Sequence, residues 1–466
     1  MKIEELKEKN VHVVGTSGVE GETIIRFLYK NGVTNITAHD FILKDDFALN
    51  FLKFHSLMPK AVRVDIFNEL RSLPINFNFK DKYLDKIEEA DIIFASQGWI
   101  KKEINFPKLK QAKDSGIAFS SMLDLYFSLS KAKIVAVTGT NGKSTTSRII
   151  DAILEKSTLG HYFAGNDRAN VQVLDHLHQF NPEDILLLEV SDRQLMIDIK
   201  KGPFVGVLTN ITPNHLDDHG TFENYIKVKK TLFDHQTGSD FAVLNSDDEI
   251  SMEISASVPS QVYFYSLKKP VDKGVWVSGG NIVWAENGEI ICNVNDIKLM
   301  GNHNIENVLA SILTAKILGV KNNQIKEAVS NFTGIENRLN LVFNKEFKVY
   351  DDLQSTSPQA TLKALEVFED PVLILGGDNK NLDYTDLAAE INKRNLKVVI
   401  LPGTASDELM EKLTISFTLA TDFKDALLKI KDSLKNGDIV LVSPGAAYFS
   451  KYLNGKGVKE ISEETL

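Results

Sequence analysis

The stretch AVTGTNGKSTT, Ala136 to Thr146, constrains the fold more than any other part of the chain. An apolar run leads directly into a glycine-bearing turn, and Lys143-Ser144-Thr145-Thr146 then opens a helical pattern. A strand ending in such a turn at a helix N-terminus belongs in a parallel α/β sheet, because the helix must carry the chain back to the same edge. The turn departs from the common phosphate-loop spacing. Position 137 is valine and the leading glycine stands at 139, which leaves a tighter G-x-x-G-K-S. Backbone N–H groups at that helix N-terminus would hold a phosphate, with Lys143 supplying charge and Ser144 able to reach Mg²⁺. The same residues could make a Gly-Asn-Gly turn with a capping serine and no ligand. A lysine opposes the dipole at a helix N-terminus, so a bound anion is the better explanation.

The strand, turn and helix pattern occurs three times. VHVVGTSGVEGETIIRFLYKNG gives a strand at Val11–Val14, glycines at 15, 18 and 21, and a helix with Ile24, Ile25, Phe27 and Leu28 on one side. The next strand, NITAHD, ends at Asp40, and ADIIFASQGW adds another with a loop at Ser96-Gln97-Gly98. G-x-x-G-x-x-G is a weak dinucleotide signal, whereas a diphosphate at the helix N-terminus would account for the glycines. The second unit continues with DILLLEVS, FVGVLTNI and FAVLNSDD, followed by short alternating segments near 260–300 that read as β-hairpins with Asn-Gly turns. GNHNIENVLASILTAKILGV reads as a helix, and the third unit holds KVYDD, PVLILGGD, KVVILPG and DIVLVSPG. The expected architecture is α/β in three domains, 1–132, 133–334 and 335–466, each built on a parallel sheet and the second bearing a small hairpin region.

Composition removes several alternatives. A chain of 466 residues suggests about two to four domains, and its 43% hydrophobic and 25% charged residues are those of a soluble globular protein. The net charge of -10 argues against a nucleic-acid partner. One cysteine, Cys292, rules out an internal disulfide framework. The charged N-terminus lacks a signal-peptide core, and no apolar run approaches the ~20 residues that cross a bilayer. The expectation is a cytoplasmic protein that is not inserted in a membrane.

VTGTNGKSTT resembles the ATP loop of the Mur ligases, which join amino acids to UDP-muramoyl precursors of peptidoglycan, and the resemblance continues across nearly the whole chain. It implies an ATP-dependent amide ligase that adds D-glutamate to UDP-N-acetylmuramoyl-L-alanine through an acyl phosphate, in a monomer using two Mg²⁺ ions. ATP contacts would come from Gly139, Thr140, Asn141, Gly142, Lys143, Ser144 and Thr145, and from Asn304, Asn307, Arg338 and Asp352. The sugar nucleotide would lie against Gly15, Thr16, Ser17, Gly18, Asp40, Ser96, Gly98 and Asn141. Glu189 in LEVSDRQL and His215 in LTNITPNHLDDHG match magnesium ligands of the family. Lys229 in ENYIKVKKTLF lies in register with its carbamylated lysine, and Ser144 completes the metal set. Lys143, Glu189, His215 and Lys229 form the implied catalytic group. Thr356, Lys380 and Tyr448 fall at positions that bind the amino acid.

Other readings stand beside these. Asp217, Asp218 and His219 could form a polar loop that starts a helix, and Lys227 and Lys230 fit a solvated helix face. The D-glutamate-adding members usually read Ser-Ser-Phe-Gln where this chain has Ser191-Asp192-Arg193-Gln194, and His-Arg where it has Asn337-Arg338. Asp351-Asp352-Leu353-Gln354-Ser355-Thr356-Ser357-Pro358 replaces their Asn-Asp-Ser-Lys-Ala-Thr-Asn-Pro, and Tyr448 stands where serine is usual. A related ligase with another amino acid or carrier, or a non-catalytic ATP-binding homologue, therefore stays open at this point.

Overall fold

The computed structural model describes residues 2–56, 58–98, 106–166, 172–197, 199–379 and 382–466. Their contacts form two compact units: Met1–Pro213, Asp218–Ile291 and Leu309–Lys326 in one, and Asn214–Asp217, Cys292–Val308 and Glu327–Leu466 in the other.

The first unit contains a five-stranded sheet in the order Asn76–Asn78, Ile36–His39, Val11–Val14, Ile92–Ala95, Ala118–Ser120, with every pair parallel. The strand order reverses at Val11–Val14, and ligands of such sheets sit beyond the carboxyl ends at that point. Val11, Val13, Ile24, Ile25 and Leu28 are buried there, as the apolar pattern of the helix Val19–Lys30 predicts. The polar side of this helix is buried as well. Arg26 pairs with Glu22 at 2.7 Å and Glu69 at 3.0 Å, so ionic partners cover the face that periodicity alone assigns to solvent.

A nine-stranded sheet follows in the order Glu289–Asn293, Asn281–Trp284, Gly274–Ser278, Gln261–Ser266, Phe241–Asn245, Val205–Leu208, Lys133–Thr138, Ile185–Glu189, His161–Gly165. Its centre is parallel and continuously apolar, because helices cover both faces of such strands. The hairpin expectation near 260–300 is met only in part. Gln261–Ser266 and Gly274–Ser278 extend the parallel ladder, and antiparallel pairing begins at Asn281–Trp284 across Gly279-Gly280. The alternating apolar pattern is shared by both kinds of pairing, so it could not separate them.

The second unit carries a six-stranded sheet in the order Asn340–Asn344, Lys348–Asp351, Ile439–Val442, Val372–Gly376, Val398–Leu401, Thr418–Leu419, parallel except at its first pair. Among the described residues no helix is long and apolar enough to cross a membrane.

The sheet centres anchor the loops at their ends. Leu187 is fully buried in the middle of Ile185–Glu189. Leu187→Ala should lower the unfolding free energy by about 2–5 kcal/mol, the usual cost of a large-to-small change in a packed core, read from the shift in urea midpoint.

Candidate functional site

Parallel pairing sets the geometry of the first unit. Val137 lies opposite both Glu189 and Val207, so the loop that begins at Gly139 emerges between the ends of two neighbouring strands. Gly139 has φ +150, and a Cβ there would come within 1.9 Å of the Thr209 hydroxyl. Only glycine lets the loop lie that close to Thr209. The segment after Val205–Leu208 then braces the loop. Thr140 N–H donates to Asn210 O at 2.8 Å, Asn141 N–H to Asn210 Oδ1 at 3.0 Å, and Thr209 Oγ1 to Asn141 O at 2.6 Å. Two loop amides therefore serve the fold, and the helix Lys143–Glu155 begins directly after them, with Gly142 at its N-cap. Lys143 Nζ donates to Gly139 O and Thr140 O at 2.9 Å each, which folds the ammonium over its own loop. Thr209 and Asn210 were not singled out in the sequence. Their signal is faint, two polar residues closing an apolar strand.

Glu189 closes its strand, is buried, and its Oε1 accepts from Asn166 Nδ2 at 3.1 Å. Lys229 lies on the helix Phe222–Asp234, which Thr221 caps. Its side chain is fully buried, its Nζ has no hydrogen-bond partner among the described residues, and the nitrogen sits 4.8 Å from the centre of the Tyr225 ring. Lys227 is exposed, so burial separates Lys229 from its neighbour on the same lysine-rich helix. The Tyr225 hydroxyl shares a hydrogen bond of 3.1 Å with Thr140 Oγ1, which ties this helix to the phosphate loop. Burial, reinforced by the charge of Lys143 and opposed by Asp192, pushes the Lys229 amine down to about 7. Near neutral pH a large share of it is an uncharged nucleophile.

Asp192 and Arg193 are both spent on internal pairs. Asp192 Oδ2 lies 2.8 Å from His219 Nε2, and Arg193 Nε donates to Asp218 Oδ2 at 2.6 Å. The His219 ring meets the Tyr225 ring edge-on at 5.0 Å. His219 thus packs against Tyr225, and Asp218 is paired with Arg193.

The glycine loop of the five-stranded sheet collects the remaining residues of this unit. A Cβ on Gly15 would come within 2.2 Å of Ser96 Oγ, so the loops after Val11–Val14 and Ile92–Ala95 are in direct contact. Thr16 Oγ1 donates to His39 O at 3.1 Å and Ser17 N–H donates to Asp40 Oδ2 at 2.7 Å. Burial raises the Asp40 carboxyl against those hydrogen bonds. Gly18 caps the helix Val19–Lys30, and Gly98 lies exposed.

In the second unit, His215 adopts φ +51 and its N–H donates to Asn214 Oδ1 at 2.9 Å. A ring nitrogen of His215 and a carboxylate oxygen of Asp217 lie within 4.8 Å of each other. Asn307 Nδ2 donates to Asn304 Oδ1 at 3.2 Å at the start of the helix Asn302–Ile317. Arg338 sits between Asn337 and Leu339, both with positive φ. Asp352 is buried and accepts from Ser443 Oγ at 2.8 Å and Leu339 N–H at 3.3 Å, and burial raises it to about 6. Asp378 and Ala447 exchange backbone hydrogen bonds at 3.0 Å, which joins the LGGD loop to the SPGAAY loop. Thr356 is exposed, and Tyr448 is 69% exposed with φ +62. Lys380 lies outside the described residues.

The buried amine makes a stability statement. In the unfolded chain Lys229 titrates near 10.5 and in the fold near 7, so the unfolded chain binds the extra proton between those values and stability rises with pH across that window. Lys229→Met should stabilise the protein at pH 7 in CO₂-free buffer, with the gain shrinking toward pH 10.5. A urea midpoint at pH 7 equal to or below that of the parent would show that the buried amine carries no such cost.

Residues 137–315 match the model of the Mur ligase middle domain. A UDP-N-acetylmuramoylalanine–D-glutamate ligase from Pelotomaculum thermopropionicum is 35% identical over 78% of this chain and 81% of its own. Its namesakes from Caldanaerobacter subterraneus and Alkaliphilus metalliredigens are 31% and 32% identical, over 98% and 97% of this chain and 98% and 96% of theirs. Among solved structures, the fold is similar to the UDP-N-acetylmuramate–alanine ligase of Thermotoga maritima, with a TM-score of 0.59 at 17% identity over 98% of this chain and 99% of that one. It is also similar to the MurF ligase of the same organism, solved with ADP, with a TM-score of 0.55 at 18% identity over 100% and 97%. The strand–loop–helix geometry and these relatives agree, and the chain belongs to the Mur ligase family.

Proposed function

We propose that this chain is an ATP-dependent acid–amino-acid ligase that joins D-glutamate to UDP-N-acetylmuramoyl-L-alanine in peptidoglycan precursor synthesis. The observation that carries the reading is the setting of Lys229, a buried amine without a hydrogen-bond partner among the described residues, on a helix tied through Tyr225 to the Gly139–Gly142 loop. The names of relatives that align over nearly the whole chain supply the substrates. In this reading residues 1–132 bind the sugar nucleotide, 133–334 bind ATP and 335–466 bind the amino acid. The three sheets fall within those three ranges.

The donor set suits magnesium. Ser144, Glu189 and His215 offer ligands, with hard oxygens from the first two, and a carbamate on Lys229 would add more. That carbamate forms when the neutral Nζ attacks CO₂ and releases a proton, for which an uncharged buried amine is suited. Bound Mg²⁺ would neutralise charge on the phosphates.

The chain's own groups do the rest. Lys143 and the first-turn amides hold the transferred phosphoryl group, and Arg338 adds charge neutralisation. Asn304, Asn307 and Asp352 contact the nucleotide. Gly15, Thr16, Ser17, Gly18, Asp40, Ser96, Gly98 and Asn141 hold the sugar nucleotide, while Thr356, Lys380 and Tyr448 receive the amino acid. The alanine carboxylate attacks the γ-phosphorus, ADP leaves, and the amine of D-glutamate displaces phosphate from the acyl carbon. Asp192 and Arg193 are consumed by internal pairs, which supports reading them as part of the fold and not as a changed substrate contact. The working form is a monomer in the cytoplasm.

Phosphate release from ATP, measured with UDP-N-acetylmuramoyl-L-alanine and a panel of amino acids, should respond to D-glutamate. No response to any amino acid would overturn the ligase reading, and a response only to another one would overturn the choice of substrate. Lys229→Ala should lose activity that short-chain carboxylates partly restore. Full activity in that variant would remove the carbamate.

A further inference from the structure

A closed ring of hydrogen bonds joins the two loops that the reading above assigns to different substrates. Glu20 lies in the first turn of the helix Val19–Lys30 and is only 8% exposed. Its Oε2 accepts the backbone N–H of Gln97 at 2.7 Å, and its Oε1 accepts from Gln194 Nε2 at 2.7 Å. Gln194 Oε1 accepts the backbone N–H of Ser191 at 3.0 Å. Ser191 Oγ donates to Gln97 Oε1 at 2.9 Å, which closes the ring. From Gln97 a branch runs on: its Nε2 donates to Asn166 Oδ1 at 3.3 Å, and Asn166 Nδ2 donates to Glu189 Oε1 at 3.1 Å.

A buried carboxylate is costly unless its oxygens are satisfied, and here each oxygen takes a donor from a different segment. One donor belongs to the Ser96–Gly98 loop at the end of a strand in the five-stranded sheet. The other belongs to the turn that follows Glu189 in the nine-stranded sheet. No apolar side chain of the same volume could receive both. The helix N-terminus favours an acceptor group at this position. Ser96 and Gly98 flank Gln97, and Glu189 ends the branch.

We propose that Glu20 is a positioning residue for ligation: through the ring it fixes the sugar-nucleotide loop in register with the Glu189 strand end. The proposal rests on the ligase reading for its kinetic consequence. The reacting carboxylate arrives on the sugar nucleotide and must meet a phosphoryl group held on the Glu189 side. Misplacement of about 1 Å between such groups costs on the order of 100-fold in rate. Glu20 touches neither substrate in this scheme and acts through Gln97 and Gln194.

The test uses Glu20→Gln and the exchange Glu20→Gln with Gln194→Glu. In the single variant an amide donor faces the Gln194 amide donor and the ring opens. In the exchanged pair the donor and acceptor swap sides, and every other bond of the ring can re-form. Glu20→Gln should lower kcat/KM for UDP-N-acetylmuramoyl-L-alanine by about 30-fold while KM for ATP stays within about twofold, and the exchanged pair should recover to within about threefold of the parent. Equal losses toward both substrates, or no recovery in the pair, would overturn the proposal. Backbone amide exchange at Gln97, read without any substrate, should accelerate in Glu20→Gln and slow again in the pair. Unchanged exchange overturns the proposal whatever the assay shows. A parent protein that releases no phosphate overturns the ligase reading, whereas an active parent matched by Glu20→Gln overturns only the role of Glu20.

Discussion

Parallel pairing of Lys133–Thr138 with Ile185–Glu189 on one side and Val205–Leu208 on the other is the constraint from which the candidate ATP site follows. Parallel strands bring their carboxyl ends to one edge. The Gly139–Gly142 loop, Glu189 and the Thr209–Thr212 segment therefore converge, although they are separated by tens of residues in sequence. The loop is then shaped by its neighbours as much as by its own glycines. Asn210 accepts one loop amide on its backbone and another on its side chain, and Thr140 Oγ1 accepts the N–H of Thr212 at 2.9 Å. A rigid cradle of this kind holds its donors in place before any anion arrives.

Two lysines of this unit stand in different settings. Lys143 donates to the loop carbonyls of Gly139 and Thr140. Lys229 is enclosed against Tyr225, and the charge of Lys143 adds to burial in disfavouring its ammonium form. Asp192 acts in the opposite direction but is itself engaged by His219. The result is one lysine hydrogen-bonded to the loop carbonyls and one buried with its amine pushed down to about 7, within the same unit. The Glu20 ring links the Ser96–Gly98 loop to the turn that follows Glu189.

Much of this was legible in the chain because it is local. Strand, glycine turn and helix are adjacent in sequence, so the three sheets and the phosphate loop could be read from AVTGTNGKSTT and its two counterparts. Lys229 could be placed only by resemblance, since Lys227 and Lys230 carry the same local signal and burial alone tells them apart. Asp192 and Arg193 read as departures from the family pattern, and Asp218 and His219 as a polar loop, until the fold brings residues 25 to 27 positions apart into contact. Glu20 carried no signal, because its partners stand 77 and 174 positions away. The hairpin region was overread for the opposite reason: a strand's alternation records which face is buried but not the direction of its neighbour. On the amino-acid side, the left-handed backbone at Tyr448 is a property of the turn that the side chain itself does not announce.

The central claim is that a carboxylate of one substrate is activated by phosphoryl transfer and then captured by an amine. Oxygen labelling tests it most directly. The parent protein is given ATP, D-glutamate and UDP-N-acetylmuramoyl-L-alanine carrying ¹⁸O in both oxygens of the alanine carboxylate, and the released phosphate is examined by mass spectrometry. Passage through an acyl phosphate leaves one carboxylate oxygen on phosphorus, so each phosphate formed with product should carry a single ¹⁸O. Amide product accompanied by unlabelled phosphate would contradict the account.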